Sequence, residues 1–110
     1  MNVYDSVHQL ARAIKDSDEF KNYKRLRMEI NNNESLKSML DDFQKKQIEY
    51  QTKQLLGEEV EMDNMTQIQD LYKIIAADPK AAEYLQSEMI ISKMMADIYE
   101  ILGEVMKVEQ

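Results

Sequence analysis

The sequence predicts an all-α protein, an antiparallel helical bundle of four to five helices with a long C-terminal helix, folded as one domain over residues 1–110 and dimerising through that last helix. Three observations carry this. The chain has only two glycines and one proline, the composition of helices joined by short connections rather than of a sandwich or a disordered tail. Apolar residues recur at spacings of three and four along most of its length. The stretch that opens at Asp78-Pro79 carries apolar residues around more than one face.

Val3, Val7, Leu10, Ala11 and Ile14 trace a short one-sided first helix, with Asn2 placed to cap it. A second helix is expected from about Ser17 to about Ile30, on a stripe of Phe20, Tyr23, Leu26 or Arg27, and Ile30. Asp16 and Glu19 are spaced as its capping box, with Ser17 as the alternative cap. Asn31-Asn32-Asn33 marks a tight turn, because asparagine competes for backbone hydrogen bonds and caps the helix that follows.

In the third helix Leu36, Met39, Leu40, Phe43, Gln47, Tyr50 and Gln54 step by threes and fours, close to the 3.5-residue seam of a coiled-coil arm. Gly57 and the acidic residues Glu58, Glu59, Glu61 and Asp63 form a solvated connector, the most mobile segment expected. Asp63 or Asn64 would cap a fourth helix with Met65, Ile68, Leu71, Tyr72 and Ile75 at its core positions. It must stop before Asp78-Pro79, since the residue before proline is pushed out of α geometry.

The same dipeptide starts the fifth helix, Asp78 as N-cap and Pro79 at the first helical position. Unbroken to about Val108, it would be ~30 residues and ~45 Å long, longer than a domain of this mass is wide. Ala82, Leu85, Met89, Ile98, Leu102 and Val105 supply one stripe, and Ile90, Ile91, Met94, Met95, Ile101 and Met106 broaden it. Leaving several of these in water would forfeit ~1.5–3 kcal/mol each, a sum comparable to the stability of a small domain. A homodimer is the economical answer, with Leu85, Met89, Met94, Ile98, Ile101, Leu102 and Val105 as its expected interface.

Fourteen basic against twenty-one acidic side chains give a net charge of −7, a field that disfavours nucleic acid unless the cations are segregated. Without cysteine there is no disulfide, thiolate metal site or cysteine nucleophile. Met1 to Asp5 has neither the basic nor the apolar segment of a secretory leader, and no run approaches the ~18 apolar residues of a membrane span, so the expected location is the cytoplasm. The sole histidine, His8, three residues after Asp5, cannot assemble a metal site or a triad by itself. Asp41-Asp42 and the 58–63 cluster lack the alternating ligands and central glycine of a calcium loop. Gly57 and Gly103 are too far apart to make a phosphate loop. No cofactor, metal or catalytic residue is expected.

Lys21, Lys24, Arg25 and Arg27 are the one concentrated basic patch, a candidate partner contact for an acidic protein surface or for RNA. The methionines of the last helix suit either a core or dimer seam or a surface that repacks against different partners, with the seam favoured because they mix with isoleucine and leucine.

Val3-Tyr4-Asp5, the stretch Ala13-Ile14-Lys15-Asp16-Ser17-Asp18-Glu19-Phe20-Lys21-Asn22-Tyr23, the Asp42-Phe43-Gln44 step and Tyr84-Leu85-Gln86 together resemble the YlbF/YmcA family of small bacterial helical proteins, most closely its YheA-type branch. The resemblance covers nearly the whole chain and rests on caps and core patterns, with no active-site motif. It implies a self-associating helical bundle in a group whose better known members are non-enzymatic regulators of competence, biofilm formation and sporulation. Those members act in a complex linked to RNA degradation, and some carry iron-sulfur clusters on cysteines. This chain has no cysteine to hold one. The functional expectation is a homodimeric regulator or adaptor acting on another cytoplasmic protein. The alternative is an RNA-associated accessory protein docking through the basic patch.

Overall fold

The computed structural model describes residues 2–107, which form five helices: α1 (Val3–Asp16), α2 (Asp18–Asn31), α3 (Glu34–Leu55), α4 (Met62–Ala76) and α5 (Pro79–Met106). No strand occurs among the described residues. The all-α expectation and the order of its elements are therefore met. The last residue expected in the fifth helix, Val108, lies outside the described residues.

Most boundaries follow from side-chain caps that satisfy backbone N–H groups left open at a helix start. Asn2 Oδ1 accepts from the Asp5 N–H at 2.9 Å, and Asn33 Oδ1 from that of Leu36 at 3.1 Å. Asp78 Oδ1 accepts from both Lys80 and Ala81, at 2.9 and 3.0 Å, and Pro79 occupies the start of α5 as expected. At the α1–α2 junction Ser17, the alternative cap, takes the place given to Asp16: its Oγ accepts from the Phe20 N–H and donates to the Ile14 carbonyl. One hydroxyl thus closes one helix and opens the next.

α4 starts earlier than expected. Its N-cap is Glu61, without a side-chain cap bond, which places Asp63 in the first turn rather than ahead of it. There the carboxylate still meets the positive end of the helix dipole. α3 ends on Gly57, whose φ of 73° is left-handed. Its N–H reaches the Gln54 carbonyl and the Glu58 N–H reaches that of Lys53, the paired bonds by which a glycine stops a helix and turns the chain.

The core is small. Leu26 and Ile30 from α2, Leu36, Leu40 and Phe43 from α3, Ile75 from α4, and Ala81 and Tyr84 from α5 are its buried members. The wall of α5 is displaced from the expected stripe: Ala81, Tyr84 and Ser87 are buried, Ala82 and Leu85 are half-buried, and Met89 is exposed. Apolar periodicity misplaced this face because Tyr84 and Ser87 carry polar tips. Both tips are satisfied inside the fold, Ser87 donating to the Tyr84 carbonyl at 2.7 Å. Met65 and Tyr72, expected in the core of α4, are 39% and 46% exposed at its edge, Tyr72 leaning on Phe43.

α2 runs antiparallel to α5, since Tyr23 stacks on Tyr84 while Glu29, later in α2, approaches Lys80, earlier in α5. α3 and α4 form a second antiparallel pair, and α1 packs substantially only on α2. The result is a slab of 47 × 36 × 17 Å with a radius of gyration of 17.6 Å, where a compact chain of this length would give about 13 Å. Its accessible surface is 8825 Å², against roughly 6,300 Å² for a compact monomer of the same mass.

Candidate interaction surfaces

Tyr84 is the centre of the helix packing. Its ring, 1% exposed, stacks on Tyr23 at 5.4 Å, and Tyr23 in turn meets Phe20 at 5.9 Å. The Tyr84 hydroxyl donates to the Tyr23 hydroxyl and accepts from Gln44 Nε2, which also donates to Glu88. The Arg27 guanidinium lies 5.6 Å from the Tyr84 ring centre, a cation–π contact strengthened by partial burial.

That position removes Arg27 from the rest of the basic patch. Its Nη2 donates to Asp41 of α3, and its buried Nη1 has no hydrogen-bond partner. Lys37 also reaches Asp41, at 3.3 Å. The Arg27 hydrogen bond holds the Asp41 carboxyl below its usual range, burial opposing and Lys37 assisting. A carboxyl depressed by folding stabilises the fold above its unfolded value, ~3.9, and loses that contribution as pH falls through the folded value. The expected result is that wild type is more stable than Asp41→Asn at neutral pH, with the gap closing below about pH 4; urea melts from pH 7 to pH 2 check it.

Lys21, Lys24 and Arg25 remain together on the outer side of α2, where with Met28, Glu29 and Asn32 they line a shallow groove. Arg25 is held there by Glu29 at 2.9 Å and Asn22 at 2.8 Å. Lys21 and Lys24 make no ion pair among the described residues. Among the described residues the surface therefore presents two unpaired ammonium groups, one engaged guanidinium and an exposed Met28.

α5 is one helix with two environments. With about 100° between successive residues, the face that carries Tyr84 and Ser87 continues outward through Ile91, Met94, Ile98, Leu102 and Val105. Along it burial fades from near-complete at Tyr84 and Ser87, through half-buried Ile91, Met94 and Ile98, to 53% exposure at Leu102 and 83% at Val105. Ile101, 63% exposed, borders this face. The remaining residues singled out from the sequence lie elsewhere. Leu85 packs against the core, and Met89, 69% exposed, is on another side of the helix.

α1 repeats this pattern in miniature. It has no buried residue, and exposure along its apolar face rises from half-buried Ile14 through 36% at Leu10 and 55% at Val7 to 74% at Val3. On its polar side His8 lies with Asp5, Gln9 and Arg12 around an open depression. Among the described residues no three histidine, aspartate or glutamate side chains converge as a metal site.

Residues 3–107 match the family described as "Control of competence regulator ComK, YlbF/YmcA". The chain belongs to the YlbF/YmcA family. Its relatives include a UPF0342 protein of Caldicellulosiruptor saccharolyticus, 46% identical and spanning 94% of this chain and 86% of the relative. Another, from Symbiobacterium thermophilum, is 33% identical over 97% of this chain and 96% of its own length. The fold is shared with a Bacillus stearothermophilus protein of unknown function (DUF964), at a TM-score of 0.81 and 22% identity, over 94% of this chain and 91% of that one. The family's description ties it to control of a competence regulator, and among the described residues no helix is long and apolar enough to cross a membrane.

Proposed function

We propose that this YlbF/YmcA member is a non-enzymatic cytoplasmic regulator that acts as a homodimeric adaptor, pairing through the distal half of α5 and leaving α2 and α3 to a second protein. The observation that carries the reading is the single apolar face of α5 that begins in the core and ends in solvent at Leu102 and Val105. The surface excess of the lone chain, about 2,500 Å² over a compact monomer, is of the size an obligate dimer buries. The regulatory description of the family supports the class of role.

RNA docking has less support. Arg27 is turned inward to Asp41 and Arg25 is tied to Glu29, which leaves two lysines on a chain of net charge −7, a weak footprint for a phosphate backbone.

Light scattering on a concentration series tests the dimer. Wild type is expected at twice the chain mass, and Ile101→Glu with Val105→Glu at the chain mass with unchanged helical circular dichroism, since neither side chain belongs to the core. A wild type that stays monomeric to high micromolar concentration would overturn the reading.

A further inference from the structure

We propose that the apolar face of α1 is the second half of the dimer interface: α1 of one protomer lies along the distal face of its partner's α5, so that two α1 and two distal α5 segments form an intermolecular four-helix bundle. This rests on the dimer reading above and adds a surface that reading does not use.

α1 has the stronger need of a cover. Val3, Val7, Leu10 and Ile14 share one face, while Asp5, Gln9, Arg12 and Asp16 lie on the other. None of the residues is buried within the protomer. A helix of 14 residues is marginal in water without tertiary packing, and α2, its one substantial neighbour, leaves Val3, Val7 and Leu10 exposed.

The geometry supplies a matching surface. Tyr23 is level with Tyr84 in an antiparallel pair, so Ser17, about 9 Å earlier along α2, falls level with about residue 90 of α5. Beyond that point α5 has no α2 opposite it. The stretch from there to Met106, half-buried at Ile91, Met94 and Ile98 and exposed at Leu102 and Val105, is about 24 Å long and α1 is about 21 Å, so one can lie along the other nearly end to end. The charged residues of the outer half, Lys93, Asp97, Glu100 and Glu104, project from the opposite side of α5 and leave the facing surface apolar. A lipid surface fits α1 poorly, because Arg12 and Lys15 are offset by Asp5 and Asp16, where interfacial helices carry an excess of cations.

The chain has no cysteine, so introduced thiols report without background. Leu10→Cys in one preparation and Ile98→Cys in another sit near the middle of their segments, where they meet whichever way the helices run. After mixing and subunit exchange, a short bis-maleimide is expected to join the two variants as a major product. Val7→Glu with Leu10→Glu is expected to weaken self-association about 100-fold without loss of circular dichroism at the core helices. A dimer of unchanged affinity in that variant, with no cross-chain product between positions 10 and 98, would overturn the α1 contact and leave the α5 dimer standing. A monomeric wild type would overturn both.

Discussion

Tyr84→Ala is expected to remove about 3–5 kcal/mol of stability, the range for deleting a buried aromatic ring. Against the 5–15 kcal/mol typical of a whole domain, that is a large share of the total. The expectation rests on how many elements meet at this ring: Tyr23 and Arg27 from α2, Gln44 from α3, and Glu88 from the next turn of α5 through Gln44. Tyr84→Phe separates packing from polarity. It keeps the stack and loses the hydroxyl, for about 0.5–1.5 kcal/mol. Urea melts of the two variants check the order, and equal losses would show that the hydroxyl network, rather than the ring, holds α2 to α5.

The same hydroxyl gives the fold an alkaline limit. Burial, with the hydrogen bond to Tyr23 adding to it, pushes the Tyr84 phenol above its ordinary value. A phenol raised by folding favours the native state below the unfolded value, ~10, and this contribution is lost as pH rises toward the folded one. Wild type should therefore lose stability above about pH 10 more steeply than Tyr84→Phe.

Tyr84 also lies where apolar spacing and burial part company. Periodicity located all five helices, and the caps Asn2, Asn33 and Asp78 are where their side-chain chemistry put them. The inner face of α5 departs from the stripe that begins at Ala82 and Leu85, because its buried positions are an alanine, a tyrosine and a serine. Small and amphipathic residues carry a helix crossing when partners approach closely, and apolar spacing does not register them. The basic patch shows a similar limit. Lys21, Lys24, Arg25 and Arg27 are neighbours in sequence, but Arg27 is turned toward Asp41, fourteen positions away. Only the packing of α2 on α3 reveals that pairing.

The surplus of apolar surface was legible, since the fifth helix is plainly longer than the core it serves. Which parts of it are spare was not. Ile91, Met94 and Ile98 are half-covered by the protomer itself, and α1, which reads as an ordinary short amphipathic helix, has no buried residue at all. Amphipathicity says that a face needs a cover; it does not say whether the cover lies in the same chain.

Leu40 and Val105 bring that distinction to a measurement. Leu40 is fully buried between helices of its own chain, so Leu40→Ala should cost about 2–5 kcal/mol, and the loss should be the same at every protein concentration. Val105 is 83% exposed, so in a lone protomer Val105→Ala should stay within about 0.5 kcal/mol of wild type. In a dimer sealed by the distal face of α5, the lost methyl groups add about 1–2 kcal/mol, but only where the dimer is populated, because association stabilises the native state by mass action. Thermal melts of both variants and wild type, taken from sub-micromolar to 100 μM or so, should give parallel lines for Leu40→Ala and a gap that opens with concentration for Val105→Ala. A gap for Val105→Ala that stays near zero at every concentration would mean that its end of α5 remains in solvent and that no dimer is sealed there.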